Sequence, residues 1–227
     1  MNYILNIDTT SEIAIINISD GDKVIGTLFN EDVKQHASFL HHSIEQLLKG
    51  NNLKPPELRA IGVTGGPGSY TGIRVGLATA KGLCFALKIP MMMFNTLEVM
   101  AFSAIKRVAK ADSFYCPIID ARRMEVFTAV YDEQLNQIME PSAMILTEDS
   151  FKDIVQNQPV YFFGSGSEKF EKLINNPPKN YLFFEENISS DSLAKFSWKK
   201  FQNSDFENLA TSKPLYIKEF FSNIKIG

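Results

Sequence analysis

Apolar positions open the chain in three short bursts, Tyr3–Asp8, Ile13–Ile18 and Lys23–Phe29, separated only by turn residues. Thr9, Thr10 and Ser11 break the first pair, and Ser19-Asp20-Gly21-Asp22 breaks the second as a hairpin turn. Three strands on such tight links predict an antiparallel meander. The period then changes. Leu40, Ile44, Leu47 and Asn51 share one face of a helix predicted from about residue 38 to 49, which Gly50-Asn51-Asn52 stops. Ala60–Thr64 reads as a buried strand, 65–71 as a loop, 72–87 as a helix and Met91–Phe94 as a further buried strand. Asn95-Thr-Leu-Glu98 opens the next helix as a capping box: Asn95 caps a backbone N–H while Glu98 reaches back, a sufficient structural role for that carboxylate.

The first hundred residues therefore run β-β-β-α-β-α-β-α. Parallel strands joined by helices need cover on both faces. A meander feeding such units is the ribonuclease H-like pattern of actin and hexokinase, so the expected class is α/β, actin/hexokinase-like, with two subdomains. Residues 1–110 are expected to form the first, and 111–227 a smaller α/β second. In the latter, Phe114–Asp120 and Glu125–Tyr131 look paired around Ala121-Arg122-Arg123. Helices are predicted at 147–157, 167–175 and 190–202, with strands at Val160–Phe163 and Tyr181–Phe184. No internal repeat is visible.

Composition narrows the classes. The formal net charge over 227 residues is -3, so the basic surplus of a lone nucleic-acid binder is missing. A partner is expected to supply most phosphate contacts if RNA is involved. The two cysteines, Cys84 and Cys116, sit in apolar runs without C-x-x-C spacing, which suits buried thiols in a reducing compartment. The first residues enter a strand at once, and the longest apolar runs, such as Ile89–Phe94, are too short to span a bilayer. The expectation is a cytoplasmic protein without a membrane contact.

The informative stretch is Gly65-Gly66-Pro67-Gly68-Ser69-Tyr70-Thr71-Gly72-Ile73-Arg74. Pro67-Gly68 fits the centre of a type II turn, and Thr71 is placed to cap the following helix. A glycine loop entering a helix offers N–H groups and a positive dipole end to an anion. Neither G-x-x-x-x-G-K-[ST] nor G-x-G-x-x-G is completed here. The other reading is that the glycines only turn the chain. Two rows of small residues follow, Gly72, Gly76 and Ala80, then Ala78, Gly82 and Ala86. A glycine inside a helix costs about 1 kcal/mol against alanine, so close packing on a sheet or a neighbouring subunit is expected in return.

On these residues the chain resembles the TsaB (YeaZ) family. The carriers are Ile7-Asp8-Thr9-Thr10, the run Gly66–Arg74 with Val75–Leu83, Asn95-Thr-Leu-Glu98, and Ile119-Asp-Ala-Arg122 with Glu125-Val126. The motifs are strong to about residue 130 and weak beyond. The resemblance implies a scaffold subunit without catalytic residues. Such a subunit supports a TsaD-like catalytic partner which, with a TsaE-like ATPase, makes threonylcarbamoyladenosine at position 37 of tRNA. It implies a homodimer when alone and contact with tRNA through the complex. TsaD relatives carry a His-x-x-x-His metal pair where Thr96 and Met100 stand here, and threonine and a thioether are poor ligands for such a site. His36, His41 and His42 flank or lie on the first helix as surface side chains, and no metal site is expected.

Candidate phosphate or nucleotide contacts are Asp8, Thr9, Thr10, Gly66, Gly68, Ser69 and Thr71. Asp8 either helps place Mg²⁺ or caps its own turn. Gly164-Ser165-Gly166 is the one echo of an adenosine loop. Candidate partner-interface residues are Leu40, Ile44, Gly72, Ile73, Gly76 and Ala80. No cofactor is firmly expected; ATP or ADP with Mg²⁺ would sit at the interface of the complex. The alternative is an ATP-dependent actin-like kinase or hydrolase acting alone. A peptidase lacks H-E-x-x-H, G-x-S-x-G and any Cys/His arrangement.

Overall fold

The computed structural model describes residues 1–31, 36–154 and 158–217. Its first sheet contains β1 (Tyr3–Asp8), β2 (Ala14–Asp20), β3 (Lys23–Asn30), β4 (Leu58–Gly66) and β5 (Met91–Asn95), in the order β3-β2-β1-β4-β5. The meander is antiparallel, and β4 and β5 add in parallel. The second sheet contains β6 (Phe114–Asp120), β7 (Glu125–Tyr131), β8 (Gln137–Ile145), β9 (Val160–Phe163) and β10 (Tyr181–Phe183), in the order β10-β9-β6-β7-β8. Here too a meander is extended by two parallel strands. The same topology thus occurs twice without a sequence repeat, and the fold is actin/hexokinase-like.

Alternation along the first sheet divides its two faces. Leu5, Ile7, Ile16, Ile18, Ile61 and Val63 meet α1 (His36–Gly50) and α2 (Tyr70–Leu87). Ile4, Ile15, Ala60, Met92 and Phe94 meet α3 (Thr96–Val108) and α5 (Ser190–Gln202). Both faces are covered, as parallel strands require. α4 (Ser167–Leu173) lies with the second sheet, where Phe151, Phe162, Phe170 and Tyr181 build an aromatic core.

The division of the chain differs from the expected boundary at residue 110. α5 packs on β1, β2 and β3, so it belongs to the first sheet. A buried polar chain fixes it there. Asn6 donates to Asn17 Oδ1 (2.8 Å), and Asn17 donates to the Ser190 carbonyl (3.0 Å) at the start of the helix. Residues 207–217 also return: the Glu207 N–H donates to the Met91 carbonyl (2.8 Å) and the Leu215 N–H to the Gly65 carbonyl (2.8 Å).

Other departures are local. The helix predicted at 147–157 is a series of turns through 154, and 155–157 lie outside the described residues. Phe151 explains it: its side chain is buried in the aromatic core with φ of 70°, a left-handed conformation that ends any helix. β8 was not expected. Asn95 caps α3 by accepting from the Leu97 N–H, but Glu98 does not close the box; it faces the charges of Lys200, Lys199 and Asp205 instead. His41 and His42 are exposed on α1, as expected; the side chain of His36 lies outside the described residues. Among the described residues no helix is long and apolar enough to cross a membrane.

Candidate functional site

The glycine loop joins β4 to α2, beside the turn that joins β1 to β2. Ser69, not Thr71, caps α2: its hydroxyl accepts from the Gly72 N–H at 3.3 Å. Thr71 is exposed two positions further on, inside the helix. The turn is not type II, because the Gly66–Pro67 peptide is cis and Gly66 and Gly68 have φ of +114° and +151°. Only glycine accepts those angles without strain.

The two loops are packed against each other. The Ser69 N–H donates to the Thr10 carbonyl (2.7 Å), and the Thr9 hydroxyl donates to the Gly72 carbonyl (2.7 Å). A Cβ built on Gly68 would lie 2.3 Å from the Thr10 carbonyl oxygen, one on Gly72 1.9 Å from that of Thr9, and one on Gly76 2.5 Å from Thr9 Oγ1. The close approach these glycines permit is to the chain's own Thr9 and Thr10. The Ser69 and Gly72 N–H groups, which an anion would use, are taken up by the Thr10 carbonyl and the Ser69 hydroxyl.

Asp8 points inward. One carboxylate oxygen accepts from the Thr10 N–H (3.1 Å), the Thr10 hydroxyl (2.7 Å) and the Thr64 hydroxyl (2.5 Å), and the residue is buried. It caps its own turn, and Thr64 is a partner that sequence reasoning missed. The other predicted contacts, Thr9, Thr10, Gly66, Gly68 and Ser69, do come together, but around chain atoms. Gly164-Ser165-Gly166 is also tightly used. A Cβ on Gly164 would lie 2.6 Å from the Ile118 carbonyl and from Met100 Cε, and one on Gly166 2.6 Å from the Ile118 side chain. Met100 therefore packs in the aliphatic interior, and Thr96 is buried beside it on α3. Among the described residues no group of three His, Cys, Asp or Glu side chains is gathered to hold a metal.

Titratable groups follow from these surroundings. Burial pushes both the Cys84 and the Cys116 thiol up to about 12, which makes them poor nucleophiles. Burial also raises Asp120, but the Lys169 hydrogen bond, the Arg122 N–H and the Lys169 charge together hold it below the usual carboxylate range. That pair braces the β6–β7 turn, where Arg122 and Arg123 have φ of 74° and 50°.

The predicted interface requires correction. Leu40, Ile44, Gly72, Ile73, Gly76 and Ala80 are all buried inside the chain, against the first sheet and its loops. The second row is the outward one: Ala78, Gly82 and Ala86 are exposed, and an added Cβ at Gly82 meets nothing within 4 Å. Phe85, in the same stripe, is 80% exposed. The phenyl ring and the three small residues give this outward stripe an apolar surface. Phe85 was missed although it neighbours inward Cys84, and helical spacing alone turns it away from the sheet.

Comparison with known proteins agrees with the motifs. The family model described as TsaD, tRNA N6-adenosine threonylcarbamoyltransferase, matches residues 22–219. The tRNA threonylcarbamoyladenosine biosynthesis protein TsaB of Bacillus subtilis is 30% identical over 177 residues, 76% of this chain and 75% of that protein. The TsaB of Buchnera aphidicola from Acyrthosiphon pisum is 26% identical over 187 residues, 80% of this chain and 83% of its own. A Pseudomonas aeruginosa structure, described as an uncharacterized protein with similarity to peptidase YeaZ, superposes with a TM-score of 0.79 at 19% identity, over 96% of this chain and 100% of that one. The last match shows the fold alone. With 30% identity over 76% of its length to the Bacillus subtilis protein, this chain belongs to the TsaB family.

Proposed function

We propose that the chain is a non-catalytic partner subunit in the synthesis of threonylcarbamoyladenosine on tRNA. It supports a TsaD-like subunit that carries the reacting groups, together with a TsaE-like ATPase, and pairs with itself when alone. The relatives' names motivate the pathway. The observation that carries the role is the glycine loop filled by Thr9 and Thr10, with Gly72 so close to the Thr9 carbonyl that no ligand group fits between. The Asp8 carboxylate is engaged by Thr10 and Thr64. Thr96 and Met100 stand where the catalytic relatives are expected to carry histidines. The chain therefore has no resident cofactor in this reading, and ATP or ADP with Mg²⁺ belongs at the junction of the assembled complex. Contact with tRNA is made through that complex, in the cytoplasm.

The partner sits on the outward stripe of α2, around Phe85, Gly82 and Ala78. Phe85→Glu places a charge in that stripe while leaving the core untouched. The expected result is loss of co-purification with the TsaD-like subunit and loss of tRNA modification, with the thermal unfolding of the free chain unchanged. Pairing that survives this substitution defeats the assignment of the surface. Turnover of ATP, or transfer to tRNA, by the chain alone defeats the assignment of the role and restores the kinase or hydrolase reading.

A further inference from the structure

The returning segment 207–217 leaves a groove of about 280 Å³ between itself and the amino-terminal half of α2. Its lining includes Arg74, Lys81 and Lys213, with Leu77 at the floor and Ser212 and Tyr216 on the far wall. Three cations meet there, and among the described residues no carboxylate lines the groove. In a chain of net charge -3 that concentration is not a general property of the surface.

Two of these groups are already oriented. The Arg74 guanidinium lies 3.8 Å above the Tyr70 ring, and its Nε donates to the Tyr216 hydroxyl at 2.7 Å. Tyr216 in turn stacks on Tyr70, with ring centroids 5.7 Å apart. Arg74 is nonetheless exposed, and the hydrogen bond to Tyr216 raises its already high basicity. A planar fork held at one edge is suited to a carboxylate at the other, with less ordering entropy lost on binding. The Lys81 ammonium donates to the Ser212 carbonyl (2.8 Å), which ties the segment to the helix. The Ser212 hydroxyl oxygen is buried and has no hydrogen-bond partner among the described residues.

We propose that this groove receives an acidic segment of the partner protein, an Asp or Glu side chain clasped by Arg74 and Lys213. The inference rests on the proposed pairing with a TsaD-like subunit and names a second contact on the same helix, amino-terminal to Phe85. A carboxylate is favoured over an RNA phosphate for two reasons. Among the described residues the three cations lie around one groove, too compact a cluster to follow a backbone. The Tyr70 and Tyr216 rings are engaged by each other and by Arg74, so they offer no ready platform for bases.

Calorimetric titration of the full chain with the TsaD-like subunit, at low and high salt, tests it. Arg74→Glu and Lys213→Glu are each expected to weaken association by about tenfold or more at low salt, with a shallower salt dependence than the unsubstituted chain. Tyr216→Phe, which removes only the hydroxyl that holds Arg74, is expected to give a smaller loss in the same direction. Phe85→Glu runs alongside as the test of the pairing itself. If Phe85→Glu abolishes association while both charge reversals leave it intact, the groove proposal is wrong and the pairing stands. If none of the substitutions matters, the proposed surface falls with it. If the reversals spare association but weaken binding of tRNA to the assembled complex, the occupant is nucleic acid and the proposal is overturned.

Discussion

Replacing Gly72 by alanine sets a small gain against a larger loss. Alanine is favoured over glycine in a helix by about 1 kcal/mol. The new Cβ, however, would lie 1.9 Å from the Thr9 carbonyl oxygen, where ordinary contact begins at 3.4 Å, so the carbonyl must retreat by about 1.5 Å. The atom in the way is backbone and cannot swing aside. Its retreat pulls on the Thr9 hydroxyl bond to Gly72 and on the Ser69 bond to Thr10, both 2.7 Å. Two such bonds contribute about 0.5–1.5 kcal/mol each, and overpacking a close-packed site costs about 1–3 kcal/mol. Set against the helix gain, the net destabilisation is about 3 kcal/mol. Gly82 is the control on the same helix. With nothing within 4 Å of its Cβ position, Gly82→Ala is expected to stabilise the free chain by up to about 1 kcal/mol. Urea unfolding followed by helical circular dichroism reads both. An unchanged or raised midpoint for Gly72→Ala would refute the claim that the two loops close on each other.

Three further outcomes follow from the same contacts. Thr64→Ala removes a hydroxyl from the buried Asp8 carboxylate and is expected to cost about 1–3 kcal/mol in urea unfolding, with Thr64→Ser recovering most of it. Burial raises the Glu98 pKa, and Lys200 and Lys199 offset this only in part. The folded chain thus holds that proton more tightly than the unfolded one, and stability falls as pH rises from the usual glutamate value through the raised one. Glu98→Gln should therefore exceed the unsubstituted chain in stability at pH 7 and match it once both states are protonated; a gain that persists at acid pH contradicts this origin. Finally, Cys84 and Cys116 should resist an aromatic disulfide reagent at pH 8 until denaturant is added, because burial holds both thiols near 12; rapid native labelling of either would contradict their placement.

The regular part of the fold was legible because its signals are local. β1, β6, β7, β9 and α5 begin and end where alternation and spacing put them. β8 was not, since Gln137–Ile145 is an edge strand carrying Glu140 and Pro141, exposed along much of its length. The helix expected over 147–157 failed because Phe151 is drawn into the aromatic core, a tertiary demand that overrides propensity. The site was half legible. Sequence showed that glycines after β4 permit a close approach but not to what, and the Thr9 carbonyl is brought there only by the pairing of β1 with β4. The two small-residue rows of α2 were found, yet four-residue spacing is identical for a row facing a sheet and a row facing a partner. Burial alone separates them. The groove at Arg74 depends on residues 131 to 142 positions downstream returning to α2, which no local pattern encodes.

The central claim is that this chain assists and another reacts. The most direct measurement is tRNA modification by purified components: the chain alone, the TsaD-like subunit with the ATPase, and all three, each with tRNA and an activated threonylcarbamoyl donor. The account predicts no modified adenosine from the chain alone, little without it, and full yield only when all are present, with Phe85→Glu reproducing the omission. Product from the isolated chain, or undiminished yield in its absence, would contradict it.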